Sequence, residues 1–126
     1  MAVITQALAP LIGDAPPTKV LLTEAGYLIL LSLSNGPLHG YRVMQVINDV
    51  FSSDLRMGPG TLYRTLQRLA ADGLIEEVEA KGEEGADPER RRAYQLTGAG
   101  LEAAGEEMRR LEALVRLGKA QLKAAR

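Results

Sequence analysis

With 126 residues, 46% of them hydrophobic and 25% charged, the chain has the composition of one soluble globular domain, with room for an accessory arm or helix but not for a second core. It has no cysteine, which excludes disulfides, thiolate metal sites and cysteine nucleophiles and is in keeping with a cytoplasmic setting. A formal net charge of −1 excludes indiscriminate coating of nucleic acid, so any cationic surface has to be local.

The charge is in fact segregated. Three arginines and no acid lie from Arg56 to Arg68, whereas acids gather at Glu76, Glu77, Glu79, Glu83, Glu84, Asp87 and Glu89. The longest apolar run, Tyr27 to Leu31, falls far short of the roughly 18–20 residues a membrane-spanning helix needs. Met1 to Ile12 is mildly apolar and lacks the Lys or Arg that precedes the apolar part of a secretory leader, so neither membrane insertion nor export is expected.

In chain order, residues 1–22 read as an N-terminal arm: Val3 to Ile12 is apolar, and Gly13-Asp14-Ala15-Pro16-Pro17 is a turn-rich connector. A winged-helix domain is expected over 23–97. Thr23 can cap a first helix, with Glu24 in its first turn, and the leucine-rich stretch from Tyr27 to Leu33 is apolar all round and must be buried on most faces. The apolar run alone would also suit a strand, and the cap decides for a helix. Asn35-Gly36-Pro37 ends it. A second helix is predicted over Gly40 to Phe51, with Tyr41, Met44, Ile47 and Phe51 as its apolar face.

Gly58-Pro59 opens a third helix, Leu62, Leu66 and Leu69 form its inner stripe, and Gly73 stops it. Leu74 to Glu79 and Arg91 to Leu96 read as the strands of a hairpin whose tip, Ala80 to Arg90, is rich in glycine and charge. Thr97 can cap a last helix over 98–126. There Leu101, Ala104, Met108, Leu111, Val115, Gly118, Leu122 and Ala125 recur at alternating spacings of three and four. Such a seam could fold back on its own domain. It persists for about four heptads, too long for so small a domain to cover, which favours a helix that pairs between two copies of the chain. Leu101, Ala104, Met108, Leu111, Val115 and Leu122 are the candidate dimerisation residues.

The fold class expected is therefore mainly α with a small β-wing: a winged helix-turn-helix followed by a long C-terminal dimerisation helix. In that order of elements the third helix enters the major groove and the hairpin touches the neighbouring backbone. With the leucines inward, helix three turns Gly60, Thr61, Arg64, Gln67 and Arg68 toward solvent, and Tyr63 stands at the border. Arginine can bond guanine bidentately, glutamine adenine, and threonine or tyrosine a phosphate oxygen, while Gly60 lets the backbone approach closely at a helix N-terminus that favours anions. The same residues taken singly would pass for a solvated face, and Tyr63 equally suits packing with its hydroxyl outward. Arg90, Arg91 and Arg92 can reach phosphates from the wing, although the nearby Glu83, Glu84, Asp87 and Glu89 oppose this unless they pair with the arginines when DNA is absent.

No metal site or cofactor is expected: His39 is the single histidine, no cysteine supports it, and Gly58-Pro59-Gly60 lacks the Lys-Ser/Thr of a phosphate loop. His39 is better suited to capping or packing at the start of helix two. No nucleophile and base stand in a catalytic pattern, so an enzyme is not expected.

These motifs occur in a recognisable order. His39-Gly40-Tyr41, then Gly58-Pro59-Gly60-Thr61-Leu62-Tyr63 followed by Leu66, Leu69, Gly73 and Leu74, then Arg91-Arg92-Ala93-Tyr94 and Leu96-Thr97-x-x-Gly100 resemble the PadR-type regulators, from about Thr23 to the C-terminus. The resemblance, closest to the short subfamily, implies a repressor that dimerises through its C-terminal helix, binds double-stranded DNA, and releases it when a small aromatic or cationic effector binds. Two departures bear on specificity. Many members carry proline where this chain has Arg64, and the tryptophan with which some short members bind flat drugs at the dimer centre is missing, as the chain has no tryptophan. The expected function is thus a dimeric, sequence-specific repressor on a pseudo-palindromic operator. The alternative is a winged helix used only for protein contact.

Overall fold

The computed structural model describes residues 22–51, 57–79 and 92–125. The arm, apart from Leu22, and the wing tip lie outside this set. The element order is α1 (Glu24–Ser32), β1 (Leu38–His39), α2 (Gly40–Val46) running into a π-helical turn (Ile47–Phe51), α3 (Pro59–Ala71), β2 (Ile75–Glu79), β3 (Arg92–Leu96) and α4 (Gly98–Ala125).

α1 starts where the Thr23 side chain accepts a hydrogen bond from the Gly26 N–H at 3.0 Å, with Glu24 in the first turn. It is the central helix, packed on both α3 and α4, which accounts for a sequence apolar on every side. Ile29 and Leu30 are fully buried, and buried Ser32 satisfies its hydroxyl by donating to the Ile29 carbonyl at 2.7 Å. Around them Leu33, Val43, Ile47, Leu62, Leu66 and Ile75 complete the core, each burial contributing about 1.5–3 kcal/mol of transfer free energy.

Two features of the helix-two region differ from expectation. The buried face is Gly40, Val43 and Ile47, with Met44 half-buried and Tyr41 exposed. Tyr41 stacks on His39 instead, ring centroids 5.7 Å apart, and His39 makes no side-chain capping bond. The helix also widens into a π turn from Ile47, so a uniform 3.6-residue period does not run to Phe51. The sheet, moreover, has three strands. Leu38 and His39 pair antiparallel with Tyr94 and Ala93, giving the order β1-β3-β2.

α3 ends in a Schellman motif. Gly73 adopts φ 77°, its N–H donates to the Ala70 carbonyl at 3.0 Å, and the Leu74 N–H reaches the Leu69 carbonyl at 3.0 Å. Directly after this turn the chain is clasped by the start of α4. The Thr97 hydroxyl donates to the Gly73 carbonyl at 2.7 Å while accepting from the Gly100 N–H at 3.0 Å, and the Thr97 N–H donates to the Leu74 carbonyl at 3.2 Å. Gly100 passes so close that a Cβ placed on it would lie 1.9 Å from the Leu74 carbonyl oxygen. The threonine and glycine of the Leu96-Thr97-x-x-Gly100 motif thus weld the C-terminal helix to the end of α3.

Candidate nucleic-acid interface

α3 is strongly amphipathic. Leu62, Leu66 and Leu69 are buried, and Gly60, Arg64 and Gln67 run in a line along the opposite side, at intervals of four and three residues. No acidic residue occurs anywhere in Pro59–Ala71. The helix opens on Gly58 in extended conformation with no side-chain cap, and Pro59 takes the first helical position. The amides of Gly60 and Thr61 are therefore left at an exposed, partially positive terminus.

Thr61 and Arg68 flank this line on the side of α1, where Arg68 borders a shallow hollow with Thr23, Thr65 and Asp72. Tyr63 flanks the other side. Its ring covers the start of α2, because a Cβ on Gly40 would meet Tyr63 Cε1 at 3.2 Å, yet the residue is still 39% exposed. Tyr63 therefore packs on Gly40 with its ring edge and hydroxyl while leaving part of its surface open to solvent.

What fixes the start of α3 is a residue the sequence reading passed over. Asn48, in the π turn, accepts from the Met57 N–H through Oδ1 at 3.0 Å and donates to the Met57 carbonyl through Nδ2 at 3.4 Å. One side chain thereby brackets the backbone just ahead of Gly58. An asparagine before a Ser-Ser-Asp stretch is a weak local signal; its role depends on a contact nine residues away.

The wing lies beside α3. Between them is a cleft of about 460 Å³ bordered by Tyr63, Gln67 and Ala70 from α3, Glu77 from β2, and Arg92 and Tyr94 from β3. Arg92 Nε donates to Glu77 Oε1 at 2.9 Å, both side chains being about half-exposed. Arg92 is thus held by Glu77 of the neighbouring strand, a different acid from the wing-tip carboxylates expected to pair with the wing arginines. Arg90 and Arg91, with Glu83, Glu84, Asp87 and Glu89, lie outside the described residues.

On α4, the candidate seam divides in two. Ala104 is a correction to the sequence reading: it is buried in the core of its own domain, because the first turns of α4, through Gly100, Ala104 and Glu107, lie against that domain. The buried Glu107 carboxylate accepts from Arg110 Nε at 2.6 Å. Leu101, Met108, Leu111, Val115 and Leu122 are 36–68% exposed, as are Leu114 and Leu117, which the three-four spacing did not include. From Met108 to Ala125 only Gly118 is even half-covered, so about 27 Å of helix has no covering layer among the described residues. Tyr27 of α1 joins Met108, Leu111 and Val115 around an open hollow of about 490 Å³ at the root of this projection.

These features define a winged helix-turn-helix domain extended by a long C-terminal helix. Residues 29–106 match the Transcriptional regulator PadR-like family. The chain is 38% identical over 88 residues to the transcriptional regulator Rv3488 of Mycobacterium tuberculosis, covering 70% of this chain and 76% of that one. It therefore belongs to the PadR-like family, which is made of transcription regulators and not of enzymes. It is also 41% identical over 95 residues, 73% of its length, to an uncharacterised 37.1 kDa protein of transposon TN4556 from Streptomyces fradiae, of which it spans only a quarter, 25%. Among solved structures, Bacillus subtilis PadR in complex with operator DNA superposes with a TM-score of 0.61 at 19% identity, over 70% of this chain and 48% of that one, a likeness of fold. Among the described residues no helix is long and apolar enough to cross a membrane.

Proposed function

We propose that the protein is a cytoplasmic, sequence-specific repressor that binds duplex DNA as a homodimer, each copy offering α3 to one half-site of a pseudo-palindromic operator. The observation that carries this reading is the acid-free outer face of α3, where Gly60, Arg64 and Gln67 are flanked by Thr61, Arg68 and Tyr63 at an uncapped N-terminus. Arg64, Gln67 and Arg68 are its base readers, Thr61 and Tyr63 contact backbone, and the wing arginines Arg90, Arg91 and Arg92 add phosphate contacts. Support for the dimer comes from the uncovered apolar flank of α4, Leu101, Met108, Leu111, Val115 and Leu122, which another copy of the same helix can cover. A small-molecule effector would act at the hollow beside Tyr27, by selecting an arrangement of the seam that changes the separation of the two α3 helices.

A salt titration with labelled duplex tests the reading. Each phosphate neutralised lowers log affinity against log salt by about 0.9, so a steep slope is expected, and selection of bound genomic fragments should return half-sites about one helical turn, or a multiple of it, apart. Absence of duplex binding at low salt would leave the winged helix as a protein-contact module.

A further inference from the structure

The position of Arg92 carries an inference that rests on the DNA-binding reading and deepens it. In the β2–β3 register Arg92 stands opposite Glu79, and Glu77 stands opposite Tyr94. The ion pair is nevertheless the diagonal one, Arg92 to Glu77, which turns the guanidinium back toward α3 and into the wall of the cleft it shares with Tyr63 and Gln67. We propose that Glu77 is an internal stand-in for a DNA phosphate: it occupies Arg92 in the free protein, and a backbone phosphate arriving between α3 and the wing has to displace it. Carboxylate and phosphate compete for the same donors, since arginine presents one planar fork to either anion. Glu77 thereby restrains affinity and salt dependence at the base of the wing without touching a base.

Because both partners are about half-exposed, the restraint is modest, a factor of about 2–5 in affinity. The test uses the full chain, a generic mixed-sequence duplex of about 30 base pairs at low salt, where the phosphate contribution acts regardless of sequence, and the variants Glu77→Gln, Arg92→Gln and their combination. Glu77→Gln should bind about 2–5-fold more tightly and steepen the salt slope by up to about 0.9, and both effects should vanish when Arg92 is already glutamine. An equal gain in the Arg92→Gln background would reduce Glu77 to simple repulsion of DNA and overturn the proposal. Unchanged or weaker binding by Glu77→Gln would overturn it too. The DNA-binding reading fails separately, by lack of duplex binding in the unaltered protein. Thermal melts of all variants confirm that the domain is folded.

Discussion

Gly100 offers the sharpest test of how the domain is held together. A Cβ on this residue would sit 1.9 Å from the Leu74 carbonyl oxygen and 2.9 Å from its carbon, so Gly100→Ala forces the backbone of α4 away from the end of α3 by roughly 1 Å. Backbone, not a flexible side chain, has to move. Overpacking of this kind costs about 1–3 kcal/mol, and stretching the Thr97 bonds to Gly73 and Leu74 adds about 0.5–1.5 kcal/mol for each bond lost. With both bonds lost the total is about 2–6 kcal/mol, which corresponds to a fall of about 8–25 °C in melting temperature for a domain of this size. Gly105→Ala is the matched control. It lies on the same helix, its added methyl meets only the mobile tip of Arg109 at 3.5 Å, and the change should be neutral or gain up to about 1 kcal/mol of helix propensity. Both variants should be melted by circular dichroism at one fixed protein concentration, because association shifts the transition. If Gly100→Ala melts within about 2 °C of the unaltered protein, the clasp between Thr97, Gly100 and Leu74 does not hold α4 in place.

Replacing Arg64 and Arg68 together with alanine should weaken DNA binding while leaving the sedimentation coefficient unchanged; gel-shift titration showing full affinity would remove α3 as the reading helix. Asn48→Ala removes both bonds to Met57 and should cost about 1–3 kcal/mol in urea denaturation, with Asn48→Asp milder because it keeps the acceptor for the Met57 N–H. Val115→Glu places a charge in the middle of the uncovered α4 flank and should shift light scattering from dimer to monomer; a dimer that persists would relocate the interface.

Much of this fold was legible because it is written in local pattern. The inner stripe of α3, the cap at Thr23, the stop at Gly73 and the run of α4 from Gly98 all follow from spacings within a few residues. Elements held by distant partners escaped. β1 is two residues long and becomes a strand only because β3 offers it free edge groups. α2 docks through Gly40, Val43 and Ile47 and leaves Tyr41 outside, and nothing in Tyr41, Met44, Ile47 and Phe51 as letters distinguishes the π turn from a regular helix. Ala104 fits a seam by spacing alone, yet the clasp at Gly100 presses that stretch of α4 onto its own domain. At the site, the composition of the α3 face could be read directly, whereas Asn48 and the Glu77–Arg92 pair depend on where the chain returns in space.

The shared joint at Leu74 means that α3 and α4 are not two parts connected by a linker but two limbs of one bent lever. The carbonyl of Leu74, which follows the end of α3, receives the Thr97 amide just ahead of α4, so the end of one helix and the start of the other are fixed to the same peptide unit. For the dimer proposed above, substitutions far out on α4, near Leu122, are therefore expected to change the preferred half-site spacing, read by selection of bound fragments, while the α3 face stays as it is.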